Sequence, residues 1–171
     1  MKALIFALLL CLPLTSARAE TGDTHLGVSG PLTLISGSAF WGAGATVLHE
    51  VTPKWWVGGS TGFYYWSVSY GSLTTSEWFV PLVPTVYYNV DVGTPTFHPF
   101  FGLGLGIAYI HYSSPNLGGY PAYSGSSVKF DGMLHAGAKF GKKRRFFADV
   151  GLGIIDGSFA LAPQIGWFFS L

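Results

Sequence analysis

Phe159-Ala160-Leu161-Ala162-Pro163-Gln164-Ile165-Gly166-Trp167-Phe168-Phe169-Ser170-Leu171 ends the chain, and its alternation is the strongest pointer to the fold class. Alternate residues make one face of Phe159, Leu161, Pro163, Ile165, Trp167, Phe169 and Leu171 and another of Ala160, Ala162, Gln164, Gly166, Phe168 and Ser170. A period of two is a β-strand. In a soluble sheet a bulky apolar face opposite a small or polar one means core and solvent. Here the alternation recurs seven more times upstream, and 49% of the chain is hydrophobic with no helical pattern to bury it. The bulky face is therefore expected to meet lipid.

Composition points the same way. The 171 residues suit one domain. Charged residues are only 10% of the chain, against about 25% in an ordinary soluble domain, and the mean hydropathy is +0.41. Outside residues 1–19, no apolar run approaches the roughly 20 residues a membrane helix needs. A closed β-barrel is the other structure that leaves no backbone group unpaired in the bilayer.

Residues 1–19 read as a secretory signal. Met1-Lys2 is a short positive start, Ala3 to Leu14 is apolar, and Ala17-Arg18-Ala19 offers small residues where signal peptidase cuts, so cleavage is expected before Glu20. Cys11 lies inside the apolar run without the small residue that usually precedes a lipidated cysteine, and no lipid attachment is expected there. Losing Lys2 and Arg18 takes the nine basic residues to seven against eight acidic. That balance argues against nucleic-acid binding.

From Thr24 onward eight strands are expected, over residues 24–35, 39–51, 55–68, 78–90, 97–112, 127–140, 145–155 and 159–171. The fifth has the cleanest inner face, with Gly102, Gly104, Gly106 and Ala108 alternating with Phe101, Leu103, Leu105, Ile107 and Tyr109. Small residues suit the interior of an eight-stranded barrel, which is only just wide enough for side chains. On the sixth strand Lys129, Asp131, His135 and Lys139 share one face, as an enclosed polar lumen would require. Asp156-Gly157 is a favoured two-residue hairpin turn. It sets Ile154 by Phe159, Leu152 by Leu161, Ala148 by Ile165 and Phe146 by Trp167 outside, and Asp149 opposite Gln164 inside. A slip of one residue would scramble this agreement.

With both termini periplasmic, the longest loops, Ser69 to Glu77 and Ser113 to Ser126, fall outside the cell, as such barrels prefer. Trp55, Tyr88, Phe97, Phe140, Phe146 and Trp167 then gather near the inner interface, and Tyr65, Trp78, Tyr109 and Phe159 near the outer.

Pro99-Phe100-Phe101-Gly102-Leu103-Gly104-Leu105-Gly106 with Tyr109, together with the alternating last strand, resembles the small eight-stranded outer-membrane barrels of Gram-negative bacteria, of the OmpX, OmpW and OmpA-barrel kind. The resemblance implies an all-β, antiparallel, up-and-down transmembrane barrel over 20–171. It also implies contact with membrane lipid and lipopolysaccharide, and insertion by machinery that reads the last strand. Such families usually end in Phe; here Leu171 is terminal and Phe169 lies two before it.

Four constellations remain. Glu50, Lys129, Asp131, His135, Lys139, Asp149 and Gln164 face inward and either line a conduit or, as expected here, form a salt-bridged plug, because buried charges must pair. His111 and Ser113 resemble the His-x-Ser arrangement of outer-membrane lipid A deacylases, where His activates Ser; the bland alternative is an interfacial His and a loop Ser. Pro81 and Pro84 have opposite parity, which suggests a bulge, and with Tyr64 and Trp66 they would suit a sideways gap of the kind attributed to OmpW-like barrels, or simply a bent wall. The basic run Lys142 to Arg145 could meet phosphate groups or be a solvated turn. The expectation is a monomer without cofactor or metal, structural or surface-interacting in role; solute passage is the alternative, and deacylation the weaker one.

Overall fold

The structure is a computed structural model that describes residues 22–71, 73–115, 122–141 and 143–171. The expected leader 1–19, its cleavage point, residues 116–121 of the longest loop and Lys142 of the basic turn lie outside the described residues. Eight strands follow one another: β1 (Thr24–Ile35), β2 (Ser38–Glu50), β3 (Trp55–Tyr70), β4 (Leu73–Asn89), β5 (Phe97–Ser114), β6 (Tyr123–Phe140), β7 (Phe146–Ile155) and β8 (Ser158–Ser170). Each pairs antiparallel with its neighbour, and β1 with β8 closes the barrel. Closure removes every sheet edge at that level.

The wall is inverted relative to a soluble protein. Leu134 on the outside is 63% exposed, whereas Lys139 on the inside is 1% exposed and Asp149 5%. Leu152, Phe159 and Ile165 are likewise exposed. Among the described residues no helix is long and apolar enough to cross a membrane. The apolar band lies on the strands instead, as it does in a transmembrane barrel.

Asp156 (φ 52°) and Gly157 (φ 72°) make the primed turn that a two-residue hairpin requires. The pairing it dictates is the pairing found, from Ile155 with Ser158, through Asp149 with Gln164, to Phe146 with Trp167. Ser36 (φ 47°) and Gly37 (φ 87°) turn the chain between β1 and β2 in the same way.

The expected loops are shorter than the sequence suggests. β3 and β4 pair up to Tyr70 with Leu73, so most of Ser69 to Glu77 is strand. β5 and β6 pair up to Ser114 with Tyr123. These Ser, Thr and Tyr runs resemble loop, yet they form cross-strand pairs of the kind that sustain a ladder in water. Ser69 and Thr74 share a hydrogen bond of 2.9 Å, and the rings of Tyr112 and Tyr123 lie 5.0 Å apart. β6 runs on past its last pair with β7, Asp131 with Ile155, as far as Tyr123. That is roughly 26 Å of further strand at the usual rise, so β3 to β6 stand above the rim formed by the other four.

Aromatic side chains ring the outer face near the end that carries the termini. Trp55 meets Tyr88 at 4.9 Å, and Phe97, Phe140, Phe146 and Trp167 follow in contact, at 5.7, 5.7 and 6.5 Å between successive centroids. Toward the other end Phe63, Trp78 and Tyr109 form a second group, with centroids 5.8 and 5.5 Å apart.

Candidate functional site

The candidate site is the lumen, which is packed in three layers. At the termini end, Trp56, Leu48, Tyr87, Phe100, Phe147 and Phe168 form one apolar cluster, with Trp56 and Leu48 each only 1% exposed. His25 stacks on Trp56 with centroids 4.5 Å apart and planes 5° apart, and its Nε2 lies 3.2 Å from Glu50 Oε1. Lys139 threads into this cluster. Its Nζ lies 3.0 Å from the centre of the Trp56 ring and donates to Asn89 Oδ1 at 2.6 Å. The buried Nζ is thus held by an aromatic face and an amide oxygen.

The middle layer is polar. His135 Nδ1 lies 3.0 Å from Asp149 Oδ2, and Ser29 Oγ donates to Gln164 Oε1 at 3.1 Å. Gly137, opposite Asp149 on β6, makes this possible, because a Cβ there would collide with the Asp149 side chain and the Ala148 carbonyl. The upper layer is apolar again, with Phe40, Phe79, Ile110, Met133, Ile155, Ala160 and Ala162 clustered and Tyr64 and Trp66 against them. Tyr64 stacks on Phe79 at 4.5 Å. Asp131, 3% exposed, sits beside this layer.

The inward polar residues therefore divide among separate places. Glu50 pairs with His25, Asp149 with His135, and Gln164 with Ser29. Lys139 engages Asn89 and Trp56. Lys129 lies at the upper rim, where its Nζ meets Asp156 Oδ1 at 2.8 Å with both side chains over 40% exposed. Sequence reasoning passed over Trp56, Asn89 and His25 as partners. Parity puts all three on the inner face, and a large ring on an otherwise small-residue face was the signal.

Pro81 faces inward and is buried, and Pro84 faces outward. No bulge lies between them. The pairing of β4 keeps one register along β3 (Tyr64 with Phe79, Thr61 with Leu82) and along β5 (Leu82 with Ile107, Thr85 with Gly104). Each proline instead removes a donor from a different ladder, because residues of opposite parity point their N–H groups to opposite neighbours. Pairing lapses at Gly62 and Phe63 beside Pro81, and at Leu105 and Gly106 beside Pro84. Thr61 Oγ1 donates to the Pro81 carbonyl at 2.8 Å beside the first lapse.

His111 and Ser113 both lie on the raised part of β5. His111 Nδ1 shares a 2.9 Å hydrogen bond with Ser126 Oγ on β6, and its ring packs on Trp78 at 5.2 Å. Glu77 pairs with Tyr112, on the opposite face from His111. In the basic turn, Arg144 N donates to Gly141 O at 2.9 Å at the termini end. Among the described residues no three His, Cys, Asp or Glu side chains converge as a metal site.

Cavities remain in this interior among the described residues. One, of about 60 Å³, lies at mid-barrel, lined by Ser29, Ser60, Tyr64, Asp131, His135 and Gln164 among others. The second, of about 10 Å³, lies beneath it beside Lys139 and Asp149.

No protein-family model matches the sequence, and no curated protein matches it. Solved structures share the fold. Ail, the attachment invasion locus protein of Yersinia pestis, solved with the heparin analogue sucrose octasulfate, is 13% identical with a TM-score of 0.56, over 86% of this chain and 97% of Ail. Neisserial surface protein A is 11% identical with a TM-score of 0.52, over 88% of this chain and 97% of its own. The N-terminal β-barrel domain of Pseudomonas aeruginosa OprF is 14% identical with a TM-score of 0.51, over 87% and 100%. At such identities the likeness establishes the fold: a closed, eight-stranded antiparallel barrel of the outer-membrane kind.

Proposed function

We propose that this protein is an integral outer-membrane barrel with a closed lumen, acting as a structural element of the membrane and presenting its raised hairpins to the surroundings. The observation that carries this reading is the filled interior: Trp56, Leu48, Phe79 and Lys139 lie at 1% exposure across the bore, and the cavities among them include ones of only about 60 and about 10 Å³. A hydrated ion needs a continuous path. The leader-like residues 1–19 and the apolar outer band support secretion and insertion, with lipid and lipopolysaccharide as neighbours, the last strand engaging the insertion machinery, and a monomeric state. Purified protein in planar bilayers is expected to give no defined conductance steps, and unboiled protein in detergent gels to migrate away from boiled. Stable stepwise currents would refute the closed lumen.

A second reading, sideways passage of small hydrophobic molecules, draws support from the two ladder lapses flanking β4 at Pro81 and Pro84. Uptake of an apolar dye into vesicles should then fall when Pro81 and Pro84 are replaced by Val. Unchanged uptake would eliminate it.

A further inference from the structure

Asp131 is a carboxylate without a counter-ion. Its neighbours on the inner face are accounted for: Lys129 is engaged at the rim by Asp156, His135 by Asp149, and Lys139 lies eight residues away along β6 with Asn89 and Trp56. Asp131 is 3% exposed, and among the described residues its Oδ1 has no hydrogen-bond partner in the protein. An isolated carboxylate taken out of water costs several kcal/mol unless something compensates it. The same side chain lines the mid-barrel cavity together with the His135 ring, whose Nδ1 is taken by Asp149; the remaining polar lining is oxygen-bearing, from the hydroxyls of Ser29, Ser60, Thr61 and Tyr64 and the amide of Gln164.

We infer that this cavity binds one small monovalent cation, Na⁺ or K⁺ with part of its water, held by the Asp131 carboxylate and the surrounding hydroxyl and amide oxygens. The chemistry selects the class. Hard oxygen donors suit alkali and alkaline-earth ions rather than softer metals. Among the described residues Asp131 is the one acidic side chain lining this cavity, and no three acidic or imidazole side chains converge, which matches one positive charge rather than two. At about 60 Å³, with each water needing roughly 10–15 Å³, there is space for an alkali ion with a few waters but not for an organic cation as large as N-methylglucamine. Bound there, the ion neutralises the interior and ties β6 to β1 and β3 through the oxygens of Ser29 and Ser60. The site therefore stabilises the barrel and does not depend on what the raised hairpins contact.

The test uses the folded barrel purified in detergent at constant ionic strength, in NaCl, KCl or N-methylglucamine chloride, with the unfolding midpoint read by band shift on unboiled gels. Na⁺ or K⁺ is expected to raise the midpoint saturably, by about 3–6 °C at ten times the dissociation constant. Asp131→Asn should abolish the response. Equal midpoints in all three salts, or an Asp131→Asn barrel that keeps the response, would overturn the site. Should Asp131→Asn not fold, ²⁰⁵Tl⁺ resonance on the unaltered protein decides: a bound signal displaced by K⁺ but not by N-methylglucamine is expected, and its absence overturns the proposal.

Discussion

Replacing Leu134 with Arg separates a lipid-facing wall from a water-facing one. Leu134 lies on the outer face of β6, paired with Leu103 on one side and Leu152 on the other. It is six residues from the aromatic belt at Phe140 and 63% exposed to whatever surrounds the barrel. If the surroundings are hydrocarbon, an arginine at this depth costs about 2–4 kcal/mol, a loss of about 30- to 700-fold in the folding equilibrium. Phe140→Arg, within the belt, should cost only about 0–1 kcal/mol, because the guanidinium reaches the headgroups. In water the ordering would vanish, since an exposed Leu→Arg change on a soluble sheet usually falls within about 0.5 kcal/mol of neutral. Reversible urea unfolding in phospholipid vesicles, followed by tryptophan fluorescence, measures both variants. A Leu134→Arg cost below about 0.5 kcal/mol, or one equal to that of Phe140→Arg, would refute the inverted wall.

Trp56→Ala should destabilise the barrel by about 3–5 kcal/mol in vesicle unfolding through the cavity it leaves, whereas a change below about 1 kcal/mol would contradict its place in the packed lower layer. Gly157→Val forces a β-branched residue to φ 72° and should cost about 1–2 kcal/mol in vesicle unfolding, whereas a neutral result would contradict the primed turn. Lys129→Ala should change stability by under about 1 kcal/mol, because its pair with Asp156 is exposed at the rim. Overproduction is expected to leave the mass of lipid A unchanged, with Ser113→Ala giving the same spectrum, since His111 engages Ser126 rather than Ser113; a lost acyl chain restored by Ser113→Ala would show the reverse.

The hairpin at Asp156-Gly157 shows why so much of this fold is legible in one dimension. A strand has two faces, and in a thin barrel one touches lipid and the other touches its own opposite wall, so each residue's identity records its side. The turn then locks the register to within one residue, and Phe146 with Trp167 and Asp149 with Gln164 followed from it. Polar stretches were harder. Val68 with Thr75 and Ser113 with Ser124 pair as strand above the bilayer, where water relaxes the alternation and Ser and Thr lose their loop meaning. The bulge expected between Pro81 and Pro84 was also misread, because a missing donor can be absorbed by a lapse in one ladder without adding a residue.

Strand count, the outward face of each strand and the pairing of the last hairpin can be read along the chain, because they depend on neighbours one or two positions apart. Who meets whom across the bore is settled by the folded barrel alone. Lys139 and Asp149 share a face on paper, yet the Lys139 Nζ lies over Trp56 and the Asp149 side chain meets His135. Asp131 is left with a free oxygen at a cavity. Those contacts follow from barrel closure and shear, which bring distant strands together at heights that no local pattern encodes.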